Sequence, residues 1–368
     1  MKRIIAQAHK ELLQTYRDKL SLTLALVLPL VLLMLFGEAI SFSVTDLAVA
    51  VQDLDQTPMS RKYIDQANSS LTFHVVPLPI QMQPEDALRA GIARAAVIIP
   101  EHFERDLVRG NNADVQWLID ATDANTANIM RGNAAAVTQA FMAQIHPSNV
   151  QPAIVADTRL WYNPGRDSKK YIGPGAFAVV LALFPPLLAA LAMSRETDQK
   201  TILQVYVSSI SAHEFLLGKI LGFFVLGVAE WVLAVIFAVT LFGLRFAGDP
   251  TPFLVGSVLY LLCNVSFGVM VGAAIPNQAA AIQAVALVSF LLSFLLSGYI
   301  FPISNVPASL RWIANIVPAR YFVELTRDAF LRGGGWPAEW RAPLVLAALG
   351  LFFFMMGWRR MRKMQVAA

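Results

Sequence analysis

Residues 20–40 read LSLTLALVLPLVLLMLFGEAI, with Glu38 as the one charged side chain. A helix needs about 20 consecutive apolar residues to cross a hydrocarbon core ~30 Å thick, and this run supplies them. Pro29 inside it is expected to bend the helix mildly. The run exceeds the ~7–15 apolar residues of a secretory signal core, and about 19 residues precede it, so it is expected to stay as a membrane anchor.

Working outward from that span, about 130 residues of mixed polar and apolar sequence follow, and from Tyr171 to Trp358 the chain is almost continuously apolar. Six spans are expected, at 20–40, 172–193, 215–243, 253–275, 279–300 and 343–358. The adjacent Pro185 and Pro186 remove two backbone donors and are expected to kink the second. Overall, 56% of residues are hydrophobic and 15% charged, against about 25% charged in a soluble domain. Mean hydropathy is +0.55. The fold class expected is therefore a polytopic α-helical membrane protein with six transmembrane helices and a small α/β extracytoplasmic domain inserted between the first two. The net charge of +4 lies at span ends, which points away from nucleic acid as a partner. The single cysteine, Cys263, excludes a disulfide within the chain and a thiolate metal cluster.

Lys and Arg near span ends set orientation. Lys2, Arg3, Lys10, Arg17 and Lys19 precede the first span, and Arg359, Arg360, Arg362 and Lys363 follow the last. An even span count puts both termini on the cytoplasmic side. That makes 1–19 an amphipathic interface helix, 44–170 an external domain, 194–214 a cytoplasmic segment, 215–300 the third to fifth spans and 359–368 a cytoplasmic tail. Residues 301–342 disagree with the charge rule, because they fall outside yet carry Arg311, Arg320, Arg327, Arg332 and Arg341. Within them Leu310, Ile313, Ala314 and Val317, then Tyr321, Leu325 and Ala329, recur at helical spacing. The segment is expected to fold into short amphipathic or re-entrant helices, with Gly333, Gly334 and Gly335 releasing the chain towards the last span.

In the external domain, strands are expected at 47–51, 71–76, 95–99, 115–119 and 154–162. Helices are expected at 58–67, 84–91, 100–108 and 123–145, and this alternation argues for an α/β layer. Pro58, Pro84 and Pro100 fall in first helical turns, where a missing N–H does no harm.

The phosphate-cradling pattern G-x-x-x-x-G-K-[ST] is absent, and Gly218-Lys219 lacks the upstream glycine, so no ATPase activity is expected of this chain. Asp53-Leu54-Asp55 is read as the polar end of a strand entering a turn rather than a cation site. The helix at 1–19, with Ile4, Ile5, Ala8, Leu12, Leu13 and Tyr16 on one face, suits either an interfacial anchor or a platform for a cytoplasmic partner. Arg195–Gly218 is either an ordinary loop or a short helix under the membrane. Glu230 sits near the centre of the third span, where a carboxylate is either hydrogen-bonded between helices or faces a polar path. Asn264, in the fourth, reads as interhelical glue.

Taken in order along nearly the whole chain, these residues resemble the permease subunits of ABC-2 type exporters, in the subgroup with a large external domain after the first span. Lys10-Glu11 followed by Arg17-Asp18 is similar to that family's K-E…R-D helix, and Arg195-Glu196-x-Asp198-x-x-Thr201 to its cytoplasmic R-E-x-E-x-G-T segment. Val207-Ser208 and Glu214-Phe215-Leu216-Leu217-Gly218-Lys219 extend the resemblance, as do Gly298, Phe301-Pro302, Val306-Pro307 and Pro318-Ala319-Arg320-Tyr321-Phe322 after the fifth span. Asp53-x-Asp55, Ala96-Val97-Ile98-Ile99-Pro100 and Asp120-Ala121-Thr122-Asp123 are similar to the subgroup's domain. Two positions depart from the pattern: Lys200 stands where the family has glycine and Leu203 where it has glutamate.

The resemblance implies a bacterial inner-membrane subunit that carries amphiphilic, drug-like or lipid-like molecules outward. It would pair with a second permease copy or paralogue and with separate P-loop ATPase subunits, which hold the ATP and Mg; no cofactor is expected in this chain. It further implies that 1–19 and 195–207 face the ATPases as coupling segments, that 44–170 is periplasmic and suited to an adaptor protein, and that 301–342 dips into the outer leaflet. The alternative is an ion-coupled secondary transporter using Glu230, for which paired repeats and several midplane charges would be expected.

Overall fold

The computed structural model describes residues 1–39, 46–78, 82–145, 162–163 and 168–362. The chain divides into two compact units, Met1–Ser41 with Arg159–Ala368, and Phe42–Thr158.

In the first unit, α1 (Lys2–Arg17) is followed by α2 (Lys19–Ala39), which runs on through Pro29. The second unit then opens with β1 (Leu47–Asp53), α3 (Pro58–Asn68), β2 (Phe73–Pro77), α4 (Pro84–Arg89), β3 (Ala95–Ile99), α5 (Phe103–Val108), β4 (Gln116–Ile119) and α6 (Ala124–Ile145). Its sheet has the order β2-β1-β3-β4, with β1 parallel to both neighbours and β4 antiparallel to β3. Side chains of a strand alternate between faces. Val49, Ala95, Val97 and Ile99 accordingly join the aromatic core of Tyr63, Phe73, Phe103 and Phe141 supplied by the helices and β2. Ala50 and Ala96 turn the other way, onto Ala87 of α4. Tyr63 donates or accepts at 2.8 Å with Thr138 and accepts from Trp117 Nε1 at 3.0 Å, so the polar ends of the core aromatics are satisfied.

Thr57 and Ser60 form a reciprocal capping box that starts α3, with Pro58 in its first turn. Both aspartates of Asp53-x-Asp55 are committed to this corner. Asp53 accepts from the Asp55 and Gln56 amides, and Asp55 from the Glu104 amide at 3.0 Å. The expected strand at 154–162 lies outside the described residues except for Tyr162, which sits in a bend.

The remaining elements belong to the first unit: α7 (Ser168–Asp198), α8 (Ile202–Val207), α9 (Ala212–Leu241), α10 (Thr251–Ala274) and α11 (Gln278–Val285). A π-helical turn (Ala286–Leu291) joins α11 to α12 (Leu292–Leu296). After these come α13 (Arg311–Ala314), α14 (Pro318–Arg327), a second π turn (Asp328–Arg332), α15 (Trp336–Glu339) and α16 (Arg341–Met361). Among the described residues five helical runs are long and apolar enough to cross a membrane: Lys169–Asp198, Ala212–Leu241, Thr251–Ala274, Gln278–Leu296 and Arg341–Met361; α2 adds the shorter apolar stretch Ala25–Phe36. The last of the five is longer than the 343–358 expected. The run expected to continue to residue 300 stops at Leu296, because Gly298 takes a φ of +83° that turns the chain out of the helix.

The first unit is built around α7. In its most apolar stretch 83% of residues are buried, against 22% for Gln278–Leu296. Small residues let its neighbours approach closely. A methyl group on Gly272 of α10 would lie 2.6 Å from the Ala190 carbonyl, and one on Gly268 would clash with that of Pro186. Gly268-x-x-x-Gly272 is thus a backbone-contact stripe of the kind membrane helices use.

Candidate functional site

Four charges that are far apart in sequence converge where α1 crosses the end of α7 and the start of α9. Lys219, two turns into α9, is fully enclosed at 0% exposure. Its Nζ donates to Glu11 Oε1 at 2.8 Å and to the Ala192 carbonyl at 3.4 Å, and lies 3.2 Å from Glu196 Oε1. Lys10 closes the group, with Nζ 2.5 Å from Glu196 Oε1 and 3.7 Å from Glu11 Oε1. Two cations and two carboxylates therefore balance, and Gln7 adds a hydrogen bond to Glu11 at 2.7 Å. Burial lowers the Lys10 ammonium, but the bond to Glu196 and the two carboxylate charges outweigh it and hold Lys10 above its ordinary value. Glu196 Oε2 is buried without a partner.

Around this cluster, Arg195 Nη2 meets Asp18 Oδ2 at 3.3 Å. Arg3 donates to the Ser209 carbonyl at 2.6 Å and lies 3.6 Å from Glu214, whose carboxylate caps the Ser211 amide. The exposed pairs of this rim are worth at most about 1 kcal/mol each. The buried one differs in kind: removing one partner strands a charge and costs about 3–5 kcal/mol.

Close packing makes the cluster possible. Gly218-x-x-x-Gly222 of α9 faces α1, where a methyl group on Gly218 would meet Gln7 Cβ at 2.5 Å and one on Gly222 would meet Glu11 Cβ at 3.1 Å. The α1 stripe buried here is Ala8, Glu11 and Thr15. Ile5 (58% exposed), Leu13 and Tyr16, read from the sequence as part of one apolar face with Ala8, point away from α9.

Past the end of α7, Lys200 has a φ of +57°, in the left-handed region where glycine is favoured. It reverses the chain into α8, whose Leu203 and Val207 are exposed, Val207 to 88%. Asp198 and Thr201 are exposed beside it, and Thr201 donates to the Glu196 carbonyl at 3.2 Å. Of the residues singled out in 1–19 and 195–201, the structure thus brings buried Glu11 and Glu196 together with half-exposed Lys10 and pairs Asp18 with Arg195 at the rim. It leaves Asp198 and Thr201 at the surface, and Arg17 on the exposed side of α1. Lys219 carries the cluster and was assigned no role from sequence. The signal was there, since an ammonium seven residues into an apolar helix requires a carboxylate from elsewhere.

Two of the five arginines of 301–342 are held by backbone carbonyls. Arg311 donates to the Val306 and Ser304 carbonyls, and Arg327 to those of Gly298 at 2.9 Å and Tyr299 at 3.0 Å. Arg327 also lies over the Tyr171 ring at 4.3 Å. Arg320 bonds Asn315, and Tyr321 donates to the Asn315 carbonyl at 2.8 Å, which ties α14 back to the end of α13. Pro302 precedes a short 3₁₀ turn, Pro318 starts α14, and Phe301 is 55% exposed. Burial, with the nearby Glu324 and Asp328 charges, pushes the Glu339 carboxyl up to about 7 against the opposing pull of Arg332.

Glu230 is buried in α9 with Oε1 unpartnered, next to Trp231, whose indole N–H is also buried without a partner. Asn264 donates to the Tyr260 carbonyl at 3.0 Å, and the Tyr260 hydroxyl donates to that of Ala178 at 2.7 Å. The structure brings Glu230 and Asn264 into no shared hydrogen bond among the described residues.

Apolar helices of this number and length are those of a multi-pass membrane protein. The chain belongs to the ABC-2 transporter family: the model described as "ABC-2 family transporter protein" matches residues 19–359. It is similar to the probable multidrug ABC transporter permease YbhS of Escherichia coli K12, at 30% identity over 364 residues, 95% of this chain and 92% of that one. It is also similar to the probable multidrug ABC transporter permease YbhR of the same organism (24% over 351 residues, 93% and 94% covered). The linearmycin resistance permease protein LnrN of Bacillus subtilis is 22% identical over 348 residues, 87% and 89% covered. Membership makes this chain a membrane permease and implies an ATPase subunit as its partner.

Proposed function

We propose that this permease is the transmembrane part of an ATP-driven exporter of amphiphilic, drug-like or lipid-like molecules across the bacterial inner membrane. The observation that carries the reading is the ion cluster of buried Glu11, Glu196 and Lys219 with half-exposed Lys10 at its edge, which joins the surface helix α1 to the enclosed helix α7. A push on α1 or α8 then reaches the centre of the membrane unit rather than bending a loop.

In this reading α2 is the first of six spans, both termini are cytoplasmic, the unit Phe42–Thr158 is periplasmic and docks an adaptor protein, and a second copy or a paralogue completes the path. ATP and Mg are held by the ATPase, and no cofactor by this chain. The ATPase docks on exposed apolar side chains of α8, with Leu203 and Val207 as contacts, and beside the start of α1, which Arg3 holds at the Ser209 carbonyl. The remaining apolar strip of α1, Ile5, Leu13 and Tyr16, suits the membrane interface. ATP binding favours one arrangement of the ATPases, and the permease pair follows by population shift. Relatives named as multidrug and resistance permeases support a drug-like cargo.

The test is co-purification of the tagged chain from native membranes. A P-loop ATPase should accompany the wild type and be lost from Leu203→Asp with Val207→Asp, a variant that keeps its melting temperature. An ATPase that stays bound to this variant would place the docking surface elsewhere, and the absence of any ATPase from the wild type across several mild detergents would refute the reading. Unchanged export after deletion of residues 50–160 would remove the adaptor step.

A further inference from the structure

A cavity of about 190 Å³ lies within the first unit, between α10, the first π turn with α12, the α13–α14 corner and α16. It is larger than the ~150 Å³ cavity that accepts benzene in a soluble protein. Its walls are apolar, from Phe267, Phe353, Ile313 and Val317, and no charged side chain lines it among the described residues. Three polar side chains do: Asn264, Ser289 and Ser293, all buried at 4%, 7% and 3% exposure.

The two serines differ from Ser194 and Ser257. Ser194 and Ser257, in α7 and α10, donate to the carbonyls four residues back, at 2.8 and 2.7 Å, the common way to satisfy a hydroxyl in an apolar helix. Ser289 and Ser293 make no hydrogen bond among the described residues, although both are nearly enclosed. Both line the cavity, so their hydroxyls open onto it. Ser289 also sits within the π-helical turn, a local distortion that often marks functional sites in membrane and soluble helices alike. Together these place two unsatisfied hydroxyls and one amide on a single apolar chamber.

We infer that this cavity is a binding site for an uncharged amphiphile, whose hydrogen-bonding head meets Ser289, Ser293 and Asn264 and whose apolar body lies against Phe267, Phe353 and Ile313. An ionised ligand is disfavoured, because its charge would lose water and gain no counter-charge. A plain hydrocarbon chain would leave the hydroxyls unmet. The site is built from one chain, so binding does not depend on ATP-driven export or on a second copy.

The experiment uses the full chain in phosphatidylcholine nanodiscs, photolabelled with the alcohol 3-azioctanol and mapped by mass spectrometry. Adducts are expected on peptides covering 286–296 and 311–318, suppressed at least tenfold by excess 1-octanol and hardly at all by octanoate or octane. Ser289→Ala with Ser293→Ala should lower labelling there about fivefold, the effect of one ordinary hydrogen bond, and leave labelling of α9 unchanged. Ser289→Leu, which fills the space, should abolish it. Adducts spread evenly over the apolar surface of α9 and these peptides, competition by octanoate or octane equal to that by octanol, or full labelling of the alanine variant would each overturn the site. Because no ATPase is present, such a failure leaves the exporter reading untouched.

Discussion

Lys219 is the residue on which the junction of α1, α7 and α9 depends, because it is enclosed and its only counter-charges among the described residues come from α1 and α7. Lys219→Met should lower stability by about 3 kcal/mol, read as a fall in melting temperature in detergent, since Glu11 and Glu196 would be left buried with the half-exposed Lys10 as their one remaining counter-charge among the described residues. Adding Glu11→Gln and Glu196→Gln to that variant should restore most of the loss; no recovery would mean that the carboxylates are not what the lysine serves. Lys200 gives the opposite sign. It holds a φ of +57° where the family has glycine, so Lys200→Gly should raise stability by about 1 kcal/mol. Glu339 makes the 301–342 segment sensitive to pH. Its folded carboxyl titrates at about 7, above the ordinary value, so the unfolded chain ionises first as pH rises. Stability at this residue is therefore full below about pH 4.5 and is lost progressively up to about 7. Glu339→Gln should flatten that part of a melting-temperature profile, and a profile identical to wild type would contradict the assignment.

At the scale of elements, α1 is held by contact between backbones as much as by charge. Gly218→Val should push α1 off α9, because its added Cβ alone would stand 2.5 Å from Gln7 Cβ. Trypsin should then cut at Arg3, Lys10 and Arg17 at least tenfold faster than in wild type; equal protection would show that α1 seats without Gly218. The helices themselves were legible in the sequence to within a few residues, since apolar run length is read directly from composition. The rotation of α1 was not. Its buried face is chosen by Lys219, 208 residues from Glu11, and the choice overrides the grouping of Ile5, Leu13 and Tyr16 with Ala8. The arginines of 301–342 were legible as an anomaly but not as a solution, because the carbonyls that accept Arg311 and Arg327 leave no trace in side-chain identity. The cavity beside Ser289 was unreadable for a similar reason: a π turn has no sequence signature, and it changes which serines can reach the helix backbone.

At the scale of the whole molecule, the account makes this chain a passive carrier whose energy arrives from a partner through α1 and α8. Glu230 is the internal rival, being buried with an unpartnered oxygen where a proton carrier would need to be. The measurement that separates them is uptake of a fluorescent drug-like amphiphile into inverted membrane vesicles containing the chain and its ATPase. The account predicts accumulation that requires ATP hydrolysis, survives an uncoupler, is lost in the Leu203→Asp, Val207→Asp variant and persists in Glu230→Gln. Accumulation driven by a proton gradient without ATP, abolished by the uncoupler and by Glu230→Gln, would contradict it.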